Sequence, residues 1–213
     1  MWAAVLWDLD GTLVDTEPVW MAAERELAAE HGVDWTHEDG LALVGLALPD
    51  SGMYIKERLG SSLPPDEIVE FLVERVATSI ARVVPWRPGA LDLVAAFAEA
   101  GVPQALVTMS YAPIATAVAQ HLPFAAVVTG DAVVMGKPHP EAYLTAAELL
   151  GCAPEDCLAI EDSATGAASA NAAGCEVLVI PHLVDVPVAT RRFVHASLVG
   201  ASPSMLWDRR WSG

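Results

Sequence analysis

The chain has 213 residues, enough for one large domain or for a core domain carrying a smaller insertion. Its 28 Asp and Glu against 11 Lys and Arg give a formal net charge of −17, which argues against nonspecific nucleic-acid binding, since that mode needs cations to neutralise phosphates. No uncharged apolar run reaches the roughly 18 residues that span a bilayer, and Cys152, Cys157 and Cys175 lack the C-x-x-C spacing of a zinc site. Residues 3–7 are too short an apolar run for a signal peptide, so a cytoplasmic monomer with no nucleic-acid or membrane partner is expected. An anionic ligand would need positive potential made locally, by a metal ion, a lysine or backbone N–H groups.

Residues 3–7 form a continuous apolar run that stops at Asp8, the pattern of a strand buried on both faces of a parallel sheet. The stretch from Asp15 to Pro85 is too long for one crossover helix. Four segments of helical spacing fill it, at 17–31, 36–48, 50–59 and 65–84, with Pro18 and Pro65 at first-turn positions and Gly32 and Gly60 as stops. This predicts a small helical cap domain over residues 16–85, inserted into a core made of 1–15 and 86–213. From residue 88, helical stretches at 88–100, 113–121, 140–151 and 163–174 alternate with apolar runs at 104–107, 125–128, 157–160 and 176–180. That alternation predicts an α/β fold built on a doubly wound parallel sheet. Past Pro181 the pattern weakens: 193–199 reads as an edge strand, and 202–213 as loosely held despite Trp207 and Trp211.

Acidic residues stand at the ends of two predicted strands, Asp8 and Asp10 after the first and Glu161 and Asp162 after the fourth. The carboxyl ends of strands form the ligand crevice of open α/β sheets. Two central strands would therefore bring four carboxyl groups together, at a cost that a cation or protonation must offset, and an all-oxygen set favours magnesium over zinc. Taken singly, each residue has a plainer reading: Asp8 and Asp10 as turn residues before Gly11, Asp162 or Ser163 as a helix cap, Lys137 as a solvated lysine. The stretch 130–137 only superficially evokes a P-loop, because five residues separate its glycines and Pro138 stands where Ser or Thr is required.

Read together, Asp8-Leu9-Asp10-Gly11-Thr12-Leu13-Val14-Asp15 resembles the first motif of the haloacid dehalogenase superfamily in its phosphatase form. Thr108 within 105–110 resembles the second motif, Lys137 within 136–141 the third, and residues 161–166 the fourth. The resemblance spans residues 5–181 and implies a Rossmann-like core with an α-helical cap, as in the β-phosphoglucomutase and phosphoglycolate phosphatase group. It implies that Asp8 attacks phosphorus to form an aspartyl-phosphate, and that Asp10 is general acid and then general base. It implies Mg2+ held by Asp8, the Asp10 backbone carbonyl and Asp162, with Glu161 nearby or coordinating. Thr108 and Lys137 would contact the phosphoryl group, and Leu9, Gly11, Met109 and Ser110 would complete the substrate-binding set. Dehalogenases of the family lack the second aspartate that Asp10 supplies, and mutases resembling this chain carry a histidine where Trp20 stands. The expected activity is hydrolysis of small phosphorylated metabolites such as sugar phosphates or phosphoglycolate. A phosphohexomutase is the alternative, and a noncatalytic acidic binding module the remaining one. The cap is expected to close on the core through hinges at 15–17 and 85–88.

Overall fold

The computed structural model describes residues 1–43 and 46–209. The chain divides into two compact units, residues 1–15 with 85–213, and residues 16–84. Pro85 belongs to the first unit instead of the inserted segment, where its carbonyl accepts the Asp15 N–H at 2.9 Å.

The first unit is organised by six parallel strands: β1 (Ala4–Trp7), β2 (Gln104–Val107), β3 (Ala126–Val128), β4 (Cys157–Glu161), β5 (Glu176–Val179) and β6 (Arg192–Val194). Their order is β3-β2-β1-β4-β5-β6, so the winding direction reverses between β1 and β4. β1, β2 and β4 are buried at every residue, which is why they read as largely apolar runs. Side chains alternate between two layers. Ala4, Leu6, Val107, Ala159 and Val177 share one core with Tyr143, Ala146 and Ala147 of α7 (Glu141–Leu149) and Ala167 and Ala170 of α8 (Ala164–Ala173). On the other side Trp7 meets Phe97 of α5 (Ala90–Glu99) edge to face at 6.2 Å. The remaining crossover helix, α6 (Ala112–Ala119), links β2 to β3.

The segment after β5 is better anchored than its sequence suggests. β6 pairs with β5 at residues 192–194. The following helix, α9 (Pro203–Arg209), buries Leu206 and sets Trp207 edge to face against Trp2 at 5.1 Å. An expectation of a loose tail is corrected for residues 203–208, whereas Trp211 lies outside the described residues.

The second unit contains α1 (Glu17–Glu30), α2 (His37–Leu41), α3 (Leu48–Leu59) and α4 (Pro65–Arg82). The helix expected through residue 48 ends at Leu41. Pro49 explains Leu48, because proline fits only the first turn of a helix and so marks a start there. Val44 and Gly45 lie outside the described residues. Thr36 and Asp39 form a reciprocal capping box, and Asp39 also takes Arg58 at 2.7 Å. Gly52 of α3 lets the α4 backbone approach, since a Cβ there would lie 2.6 Å from the Pro65 carbonyl oxygen. Glu24 of α1 is 5% exposed and accepts the Trp35 indole N–H at 3.1 Å. Among the described residues no helix is long and apolar enough to cross a membrane.

Candidate active site at the switch point of the sheet

The reversal between β1 and β4 fixes which side chains meet. Asp8 leaves the end of β1, Thr108 follows β2, and Glu161 closes β4 with Asp162 behind it. Asp8, Glu161 and Asp162 each offer an oxygen within 4.8 Å of the others. All three are buried, Glu161 completely. Lys137 reaches this cluster from the loop before α7.

The Lys137 ammonium donates to Asp8 Oδ1 at 2.7 Å, to Glu161 Oε1 at 2.6 Å and to the Val107 carbonyl at 3.0 Å. An ammonium has three N–H donors, so this arrangement commits them all to the protein. Its direct work here is to hold Asp8 and Glu161. Burial alone would depress the Lys137 pKa, but the Asp8 and Glu161 charges raise it above the ordinary lysine range. One ammonium cannot balance three carboxylates. Burial, reinforced by Glu161, therefore pushes Asp8 well above the usual carboxylate range, and the same causes raise Asp162 to about 7.

Asp10 is presented differently. Its Oδ2 accepts the Thr108 hydroxyl at 3.0 Å and the Ser110 hydroxyl at 2.8 Å, and Thr108 Oγ1 itself accepts the Ser110 N–H at 2.9 Å. Two hydroxyls thus hold the Asp10 carboxylate from the β2 side. Leu9 is a core side chain whose carbonyl accepts N–H groups from Thr12, Leu13 and Val14. Gly11, with φ +81°, donates its N–H to the Val14 carbonyl at 2.8 Å. That bond commits the Gly11 N–H within the first motif. Gly11 matters by having no side chain, since a Cβ would stand 2.1 Å from Asp162 Oδ2. Met109 faces the Lys137 loop, where its Sδ accepts the Lys137 N–H at 3.2 Å.

Several further residues support this cluster. Glu141 accepts the Val134 and Met135 N–H groups at 2.8 and 2.9 Å, and so pins the loop that presents Lys137. These two bonds lower its pKa. Arg87 donates to the Gly11 carbonyl and, at 3.4 Å, to the Pro181 carbonyl, clamping the first motif to the segment after β5. Tyr143 donates its hydroxyl to Glu161 Oε1 at 2.6 Å. Arg87 precedes a turn-like Pro-Gly, and Tyr143 reads as one aromatic on a core helix face, so spacing alone marks neither. Ser163 caps α8 by accepting the Gly166 N–H at 3.0 Å and gives its own hydroxyl to Glu161 Oε2 at 3.2 Å.

The donor set suits a hard divalent cation. It consists of carboxylate oxygens, it carries more negative charge than Lys137 neutralises, and glycines at 11 and 166 leave the room that side chains would fill.

A family model described as haloacid dehalogenase-like hydrolase matches residues 2–174. The chain is 36% identical over 189 residues to hexitol phosphatase A of Escherichia coli (strain K12), covering 85% of this chain and 84% of that protein. It is 31% identical over 181 residues to the fructose-1-phosphate phosphatase YqaB of the same strain, covering 83% and 95%. A solved structure of a CbbY variant from Rhodobacter sphaeroides in complex with xylulose-(1,5)bisphosphate aligns with a TM-score of 0.82 at 28% identity, covering 94% of this chain and 96% of that one.

Proposed function

Because the chain belongs to the haloacid dehalogenase-like hydrolase family, we propose that it hydrolyses small phosphorylated sugars or polyols through Asp8. The observation that carries this reading is the placement of Asp8, buried at the end of a central strand and held by Lys137, with Asp10 separately aimed by Thr108 and Ser110. The substrate class follows the hexitol phosphate, fructose 1-phosphate and xylulose bisphosphate named for the similar proteins.

In the first step an Asp8 oxygen bonds to phosphorus as the bond to the leaving alkoxide breaks, and Asp10 gives that alkoxide a proton. In the second, Asp10 takes a proton from water, whose oxygen attacks phosphorus and frees the Asp8 carboxylate. Lys137 keeps Asp8 oriented and offsets part of its charge. A magnesium ion held by Asp8, Asp162 and the Asp10 backbone carbonyl, with Glu161 beside them, would supply the neutralisation that lets an anionic carboxylate approach an anionic phosphoryl group.

The test is phosphate release from hexitol phosphates, fructose 1-phosphate, phosphoglycolate and p-nitrophenyl phosphate, each with and without Mg2+. Turnover of the polyol and ketose phosphates above the others is expected. Release from none of them, with Mg2+ present, refutes the reading.

A further inference from the structure

We infer that Tyr143 is a positioning residue of this site: its buried hydroxyl and ring fix the Lys137–Glu161 pair and, through Lys137, the Asp8 carboxylate.

Tyr143 is completely buried in the core shared by α7, β1, β2 and β4, among small side chains such as Ala142, Ala146 and Ala159. A phenol hydroxyl there forfeits water and needs a partner, and the residue offers nothing else polar. Its partner is Glu161 Oε1, at 2.6 Å, the length of a charge-assisted O–H···O⁻ bond. The same oxygen accepts Lys137 Nζ, also at 2.6 Å, and that ammonium lies 5.1 Å from the Tyr143 ring centroid. One side chain thus touches both members of the pair. Ser163 holds the other Glu161 oxygen, and Gly166 closes the remaining side, where a Cβ would stand 1.9 Å from Oε1.

The covalent route reinforces this. Glu141, which pins the Lys137 loop, and Tyr143, which meets Glu161, both belong to the first turn of α7. A shift of that turn moves the ammonium and its counter-charge together. Removing the hydroxyl leaves Glu161 Oε1 to Lys137 alone, so the ammonium is drawn toward Glu161 and its hold on Asp8 loosens. Packing of the ring does not require the oxygen. Phenylalanine would fill the core equally well, which separates the positioning role from a structural one.

The inference rests on the function proposed above, and the experiment separates the two. Tyr143→Phe is compared with wild type by calorimetric titration of Mg2+ into the metal-free protein, by steady-state kinetics at saturating Mg2+, and by thermal unfolding. Loss of a supporting hydrogen bond at a metal-proximal ligand typically costs about 10–100-fold in metal affinity or activity. The expected result is a fall of that size in kcat with KM held within about threefold, Mg2+ binding weakened by about tenfold, and little change in the unfolding midpoint. Mg2+ affinity and kcat both within about twofold of wild type, whatever the unfolding midpoint, overturn the inference. If wild type hydrolyses no phosphomonoester, the proposed function fails while the Mg2+ titration still decides the role of Tyr143. Should Tyr143→Phe not fold, wild type labelled with 3-fluorotyrosine at its three tyrosines replaces it. The Tyr143 fluorine resonance, assigned through Tyr54→Phe and Tyr111→Phe, then shifts on adding Mg2+ alone, and one that does not move overturns the inference.

Discussion

Glu24→Gln should stabilise the helical unit, and by an amount that depends on pH. Burial raises the Glu24 pKa from 4.5 to about 7, helped by the neighbouring Glu17 and opposed by the Trp35 N–H and by Arg25. Below pH 4.5 the carboxyl is protonated both folded and unfolded and costs nothing. As pH rises toward 7 the unfolded chain ionises while the folded one resists, so stability falls, and above about 7 the full penalty is present. At 1.36 kcal/mol for each pH unit the penalty is about 3 kcal/mol at pH 8 and about 1 kcal/mol at pH 5. Glutamine keeps an acceptor for Trp35 and never ionises. Hydrogen exchange of α1 peptides reads this locally, and the ratio of mutant to wild type at one pH cancels the intrinsic pH dependence of exchange. Protection should rise on the order of 100-fold at pH 8 and only about fivefold at pH 5. An equal ratio at the two pH values would refute the reasoning, since it would leave the Glu24 charge without a desolvation cost.

Asp8→Asn should retain the fold and lose nearly all phosphatase turnover. Activity within about tenfold of wild type, equivalent to only about 1.4 kcal/mol of barrier, would remove Asp8 as nucleophile. Asp10→Asn should cost about 10²–10⁴-fold in kcat by ending proton transfer, read with a panel substrate at saturation. Gly11→Ala meets both a left-handed backbone and Asp162 Oδ2. It should lose about 1–2 kcal/mol of stability in urea titrations and also weaken Mg2+ binding, so wild-type behaviour in both would count against the cradle. With glucose 1-phosphate and its 1,6-bisphosphate, free phosphate should appear faster than glucose 6-phosphate. The reverse order would replace the hydrolase with a mutase.

The parts of the molecule legible in the sequence are those whose physics is local or repeated. Strands buried on both faces cannot alternate, so β1, β2 and β4 appear as largely apolar runs, and the acids at the ends of β1 and β4 stand out by contrast. Boundaries set by competition were harder to see: residues 36–48 have helical spacing, yet Pro49 gives Leu48 to the next helix. The tail reads as loose because its anchor, Trp2 against Trp207, pairs residues far apart in sequence. Tyr143, Arg87 and Glu24 carry little signal in the sequence for a related reason. Each matters through what the fold brings to it, a Glu161 oxygen, a Gly11 carbonyl, an indole N–H, and none of these partners is a sequence neighbour.

The pairing of β1 with β4 joins Val5 to Leu158 and Trp7 to Ile160, so segments far apart in sequence lie side by side. During synthesis Glu161 and Asp162 follow Asp8 only after the inserted helical segment and two further strands have been made. Until then the cluster of Asp8, Glu161 and Asp162 cannot form. Parallel pairing over such a span also defers loop-closure entropy to a late stage. Assembly of this end of the sheet therefore waits for β4, and nascent chains that stop short of it lack the three-carboxylate cluster.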